Sequence, residues 1–181
     1  MNSNILKIKN EKLLSPTKRV ALTGVMAALI AVTTIIAIPL PPPLSTINLA
    51  PVIIFTVAIL LGPVTGLTCT AIGCAVGYLA GTSLGTIIVP PGLLYLYLVG
   101  LVVARGPMAV AVGVFRKRSE VSGMILGVII ETLIFFSIDF VLFGFGYAVF
   151  DFGTFVDFIF VPITVAVLIA VRRVLDTKYL S

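Results

Sequence analysis

Residues 48–81, NLAPVIIFTVAILLGPVTGLTCTAIGCAVGYLAG, decide the fold class. The stretch carries no charged side chain, and Gly62-Pro63 divides it into two apolar runs. Proline lacks a backbone donor and clashes with the preceding turn, while glycine lets the chain reverse, so the pair reads as a tight turn between helices. The first run, Asn48 to Leu61, is short for a span. The second, Val64 to about Gly81, approaches the ~20 residues that a ~30 Å hydrocarbon core requires. Long continuous apolar runs argue for helices and against the short alternating strands of a membrane barrel.

Four further spans flank this pair. Val20 to about Pro39 precedes it and stops at Pro39-Leu40-Pro41-Pro42-Pro43. Thr82 to Pro91 reads as an ordered loop, followed by spans at Gly92–Phe115, Ser122–Ala148 and Phe155–Leu175, with a short turn at Asp151–Thr154. Composition agrees: of 181 residues, 60% are hydrophobic and 10% charged, with mean hydropathy +1.24. A soluble domain is about 25% charged, so too few polar groups remain here to coat a water-facing surface. The expectation is an all-α integral membrane protein. It has a basic segment at 1–19, a six-helix transmembrane domain over 20–175 and a tail at 176–181. The first nineteen residues do not read as a signal peptide, because the run after them is long enough to span and no small-residue cleavage site follows.

The net charge of +5 is distributed as a topology signal. Lys7, Lys9, Lys12, Lys18 and Arg19, then Arg116-Lys117-Arg118, then Arg172-Arg173 with Lys178 all abut apolar runs. With both termini cytoplasmic, every cluster falls inside and the outer loops hold no Lys or Arg. A multi-pass protein of the cell membrane is expected, and nucleic-acid binding is not.

Absent motifs narrow the chemistry. The chain has no histidine, hence no Ser-His pair and no HExxH helix, and it has no P-loop for ATP. Cys69 and Cys74, five apart on one helix, face different ways and read as packing residues rather than a disulfide or zinc site. Neither an enzyme, a cofactor nor a metal is expected.

Polar groups inside the spans are costly and mark function by default. Arg105 and Glu131 fall at similar depth on sequential antiparallel helices and suit a structural ion pair. The sharper alternative gives Arg105 an anionic substrate group or a partner. Asn48, Tyr78, Tyr95, Tyr97, Asp139, Tyr147, Asp151 and Asp157 are expected toward the outer level. Of these, Asn48, Tyr78, Tyr95, Asp139, Tyr147 and Asp157 are the candidate substrate-binding set, since polar and aromatic groups converging at one end describe a small-molecule pocket. Carboxylates with aromatics would suit a cationic or amine-bearing ligand. Small residues supply smooth helix faces: Gly24-xxx-Ala28 and Ala27-xxx-Ala31 on the first span, Gly73-xxx-Gly77-xxx-Gly81 on the third.

Taken together, the basic N-terminus, Arg19-Val-Ala-Leu-Thr-Gly-Val-Met-Ala-Ala-Leu-Ile-Ala31, the short second helix Asn48-Leu-Ala-Pro-Val-Ile-Ile-Phe55 and Leu61-Gly-Pro-Val-Thr-Gly-Leu67 resemble the S component of an energy-coupling factor (ECF) transporter. The resemblance implies extracellular capture of a vitamin or related micronutrient with very high affinity. It implies partnership with a transmembrane coupling protein and two cytoplasmic ATPases, with toppling of the S component driven by them. It places the docking surface on Ala27 and Ala31, to which the overlapping Gly24 and Ala28 belong, and a gating loop at Pro41–Ile47. No signature of a particular vitamin is evident, and Arg105 has no counterpart in the pattern. The alternative is a self-sufficient secondary transporter or channel using Glu131 or Asp139 as its cation site. No inverted repeat supports it.

Overall fold

A computed structural model describes residues 16–39, 46–89 and 92–180. Its elements run α1 (Pro16–Ile35), β1 (Ala37–Pro39), β2 (Thr46–Asn48), α2 (Ala50–Leu61), α3 (Pro63–Ser83), α4 (Leu94–Phe115), α5 (Glu120–Phe143), α6 (Phe145–Ala148), a 3₁₀ segment (Val149–Ile159) and α7 (Phe160–Leu180). Five helical stretches are long and apolar enough to cross a membrane, and the sixth apolar helix, α2, is shorter. The protein is an all-α membrane bundle.

Several boundaries differ from those expected, each for a local reason. α1 stops at Ile35, ahead of Pro39, because the prolines that follow favour extended backbone before them. Ala37–Pro39 instead pairs antiparallel with Thr46–Asn48, with Ala37 opposite Asn48 and Ile38 opposite Ile47. The expected gating loop, 41–47, lies largely outside the described residues. α5 stops at Phe143 rather than Ala148, because Gly144 takes a positive φ of 85° and turns the chain. The expected turn at 151–154 is instead part of an 11-residue 3₁₀ segment. Runs of that helix beyond 3–4 residues are uncommon. Pro162, in the first turn of α7, cannot donate to the Phe158 carbonyl and so unties the two segments. α7 then continues to Leu180, past the expected end at 175, with neither glycine nor proline to stop it.

α2 is the central post of the bundle. Ala50, Val52, Ile54, Phe55, Val57, Ala58 and Ile59 are all buried, so it is apolar on every side. α1, α3, α4 and α7 pack around it, and the sequence-adjacent pairs α3–α4 and α4–α5 form the rest of the wall. α1 meets α3 backbone against backbone. A Cβ added at Gly73 would lie 2.6 Å from the Ala27 carbonyl oxygen, and one at Gly77 would lie 2.6 Å from that of Ala31. Only glycine admits backbones that close.

The far end is closed by cations. The Arg116 guanidinium covers Gly62, whose φ of 95° makes the α2–α3 turn, and Arg172 reaches Glu120 at the start of α5 at 2.5 Å.

Candidate functional site

At about 1.5 Å per residue the 12 residues of α2 reach only ~18 Å, roughly half of a hydrocarbon core. α2 starts just after the β1–β2 hairpin, near mid-depth, and ends at the far-end turn, Gly62. The sixth crossing breaks in the same way. The 3₁₀ segment carries the chain part of the distance and α7 completes it, ending near Glu120 through Arg172. Non-helical backbone at membrane depth persists only where protein buries it or a cavity meets it. Two such breaks facing one another mark the site.

Each break delivers a polar side chain to Arg105, which stands midway along α4. Arg105 Nε donates to Glu131 Oε1 at 2.9 Å, a pair whose side chains are 7% and 1% exposed. Asn48, the last residue of β2, accepts from Arg105 Nη2 at 3.4 Å through Oδ1. The same oxygen accepts from the Ala50 backbone N–H at 3.1 Å, an Asx-type turn that leads the chain into α2. Asp157, at the end of the 3₁₀ segment, is buried and interacts electrostatically with both Arg105 and Glu131. Cys74 of α3 completes the surround, its Sγ 4.0 Å from Arg105 Nη1, and buried Thr34 of α1 faces Cys74. Beside Glu131, the Thr132 and Thr154 hydroxyls lie 2.7 Å apart and tie α5 to the 3₁₀ segment. One cation, two acids, an amide and a thiol, drawn from five elements, therefore share the middle of the bundle.

Among the described residues no group of three His, Cys, Asp or Glu could hold a metal ion. A neutral polar molecule with donors and acceptors suits the cluster better than a bare ion, because charges of both signs are already present.

The remaining candidates separate from this cluster. Tyr78 is buried one turn beyond Cys74 on α3, and its hydroxyl has no hydrogen-bond partner among the described residues. Asp139 is buried in a crevice between α4 and α5 lined by Leu96, Tyr97, Gly100, Phe135, Ile138 and Leu142. It lies two helical turns beyond Glu131 and faces a different neighbour. Tyr95, in the first turn of α4, is 75% exposed. Tyr147 is 45% exposed and packs with Phe143 at 4.9 Å and Phe150 at 6.3 Å in an aromatic belt. Asp157 sits deeper than the outer level expected of it, since the 3₁₀ segment lowers it to the Arg105 level. The side chain of Asp151 lies outside the described residues.

A family model described as the ECF-type riboflavin transporter, S component, matches residues 15–177. The chain belongs to this family. No curated protein and no solved structure matches it significantly. An S component is the substrate-binding subunit of a vitamin transporter, and the family is not one of enzymes. In this S component the four small residues proposed for docking divide. Ala27 and Ala31 are buried against α3, whereas Gly24 and Ala28 are exposed on another face of α1.

Cys74 and Thr34 joined the site without being anticipated, as did the depth of Asp157. A signal was present: Asn48 precedes Pro51 and Asp157 precedes Pro162, each proline falling in the first turn of a helix. A polar residue just outside a proline-started helix, within an apolar span, marks a break at membrane depth.

Proposed function

We propose that this chain captures riboflavin as the membrane-embedded subunit of an ECF-type importer in the cell membrane. The match to the riboflavin S component across residues 15–177 carries this reading. The mid-membrane polar cluster supports it chemically. Riboflavin combines a flat ring bearing carbonyls and an N–H with a polyhydroxyl chain, all neutral, and Asn48, Arg105, Glu131, Asp157 and Tyr78 offer matching donors and acceptors. Asp139 would serve at the edge of that site through the α4–α5 crevice.

Both termini face the cytoplasm, so the hairpin end of the bundle receives the vitamin from outside. The energy comes from a coupling protein with two ATPases, since the chain has no P-loop of its own. The exposed Gly24–Ala28 face of α1 is the docking surface, a smooth strip against which another membrane helix can lie closely.

Mass spectrometry of small molecules released from purified protein tests the substrate. Riboflavin should be released from the wild type and recovered in reduced amount from Asp157→Asn, with Asp139→Asn less affected. Release of a different vitamin would replace the substrate, and transport by the isolated chain under an ion gradient would remove the importer reading.

A further inference from the structure

The two faces of α5 meet different surroundings. Its glycine face is occupied by α4: a Cβ added at Gly123 would lie 2.9 Å from Phe115 Cβ, and one at Gly127 would lie 3.0 Å from Val112 Cγ2. The other face carries Val121, Ile125, Ile129 and Leu133, all exposed. Residues four apart on a helix stack along one side, so these four make one continuous apolar strip. At ~1.5 Å per residue the strip runs about 18 Å, slightly more than one leaflet of a ~30 Å hydrocarbon core.

The strip begins at a pair of cations. Lys117 and Arg118 lie in the turn between α4 and α5, both exposed, and neither has an ion-pair partner among the described residues. The cations around them are used within the protein: the Arg116 guanidinium covers Gly62, and Arg172 takes up Glu120, the acid nearest in sequence. With Glu120 neutralised, the charge of Lys117 and Arg118 is left uncompensated. Between them and the strip stands Ser119, whose Oγ accepts from the Ser122 backbone N–H at 3.3 Å and from the Ser122 hydroxyl at 2.9 Å. A hydroxyl has two acceptor lone pairs and one hydrogen, so Ser119 keeps its own O–H to donate.

We propose that the α4–α5 turn and the outward strip of α5 bind an anionic phospholipid. Its phosphate sits on Lys117 and Arg118, with the Ser119 hydroxyl donating to it, and an acyl chain lies along Val121 to Leu133. Shape and charge together select this ligand. A free phosphate or an acidic peptide would satisfy the cations and leave the strip bare. A zwitterionic lipid would cover the strip but bring its own cation against Lys117 and Arg118. Basic side chains at a membrane surface gain from anionic headgroups, and the gain grows with each cation. The strip faces away from Glu131, so this site stands apart from the mid-bundle cluster and does not depend on which substrate that cluster takes.

Native mass spectrometry of the full chain, titrated with dioleoyl phosphatidylglycerol or dioleoyl phosphatidylcholine, tests the proposal, because these lipids share their tails and differ in headgroup charge. The wild type should bind the phosphatidylglycerol about 25-fold more tightly, on the order of fivefold for each of two cations. In Lys117→Gln/Arg118→Gln the preference should fall below about threefold. Lys18→Gln/Arg19→Gln removes the same charge from the same end of the bundle, since Cys69 in the second turn of α3 reaches the Thr23 carbonyl at 3.5 Å. That variant should keep the preference. Equal affinity of the wild type for the two lipids would overturn the proposal and leave the turn to a protein partner, and this comparison needs no variant. A preference kept by Lys117→Gln/Arg118→Gln, or lost equally in Lys18→Gln/Arg19→Gln, would assign it to the diffuse field of this end and overturn the site. Displacement of bound phosphatidylglycerol by millimolar inorganic phosphate would show an anion site that ignores the strip, and would overturn the lipid assignment.

Discussion

Replacing Arg105 by methionine removes the one buried base that faces two buried acids, Glu131 and Asp157, among the described residues. Methionine keeps the unbranched apolar stem and removes the guanidinium, so the charge and its hydrogen bonds are lost together with that group's volume. Arg105 and Glu131 are almost completely shielded, at 7% and 1% side-chain exposure, and Glu131 loses the cation 2.9 Å away. Breaking a pair so buried by removing one partner costs about 3–5 kcal/mol, because the other charge is left uncompensated. For a chain of this size that corresponds to a fall in Tm on the order of 10 °C. Thermal unfolding in detergent, followed by monodispersity, measures it. Arg105→Met combined with Glu131→Leu and Asp157→Asn should recover most of the loss, since an apolar replacement of a buried ion pair is often neutral or stabilising. The triple variant should nevertheless fail to bind riboflavin. A fall below about 3 °C for Arg105→Met would place this pair with exposed ion pairs and refute the electrostatic account.

Gly73→Val should prevent α1 from seating on α3, because the added Cβ alone would lie 2.6 Å from the Ala27 carbonyl oxygen; loss of monodisperse protein checks it, with Gly85→Val, at an open position, as a test of generality. Gly85 has a positive φ, so its substitution should cost about 1 kcal/mol through local strain and leave the fold intact. Ala27→Leu should lower the stability of the isolated chain, whereas Ala28→Leu should leave that stability within about 1 kcal/mol and block co-purification with the coupling protein. Glu120→Gln should cost less than about 1 kcal/mol despite the short contact to Arg172, because both side chains are partly exposed and the pair is screened; a chemical or thermal unfolding curve measures it.

The bundle was legible in the sequence because lipid imposes a simple rule, apolar length, that 48–81 and the other runs satisfy openly. The Gly62-Pro63 turn is local chemistry and was equally plain. Arg105 and Glu131 were visible as charges at one depth on neighbouring helices, which is why their 2.9 Å contact needs no long-range information. What escaped were the two breaks at membrane depth. Hydropathy counts apolar residues and does not distinguish a 3₁₀ segment or a three-residue strand from α-helix, so it gives no sign that Asp157 comes beside Arg105. Tyr95 and Tyr147 could not be told from pocket residues by type, because an aromatic belt and an aromatic pocket have the same composition. The division of Ala27 and Ala31 from Gly24 and Ala28 depended on which face α3 covers, a tertiary fact.

Titration of ligand-free protein with riboflavin, followed by quenching of flavin fluorescence, tests the central claim most directly. Stoichiometric quenching at one riboflavin per chain, weakened by at least about tenfold in Asp157→Asn, is the expected result, a loss of about 1.4 kcal/mol in binding. Monodisperse wild-type protein that leaves flavin fluorescence unchanged at every concentration would contradict it.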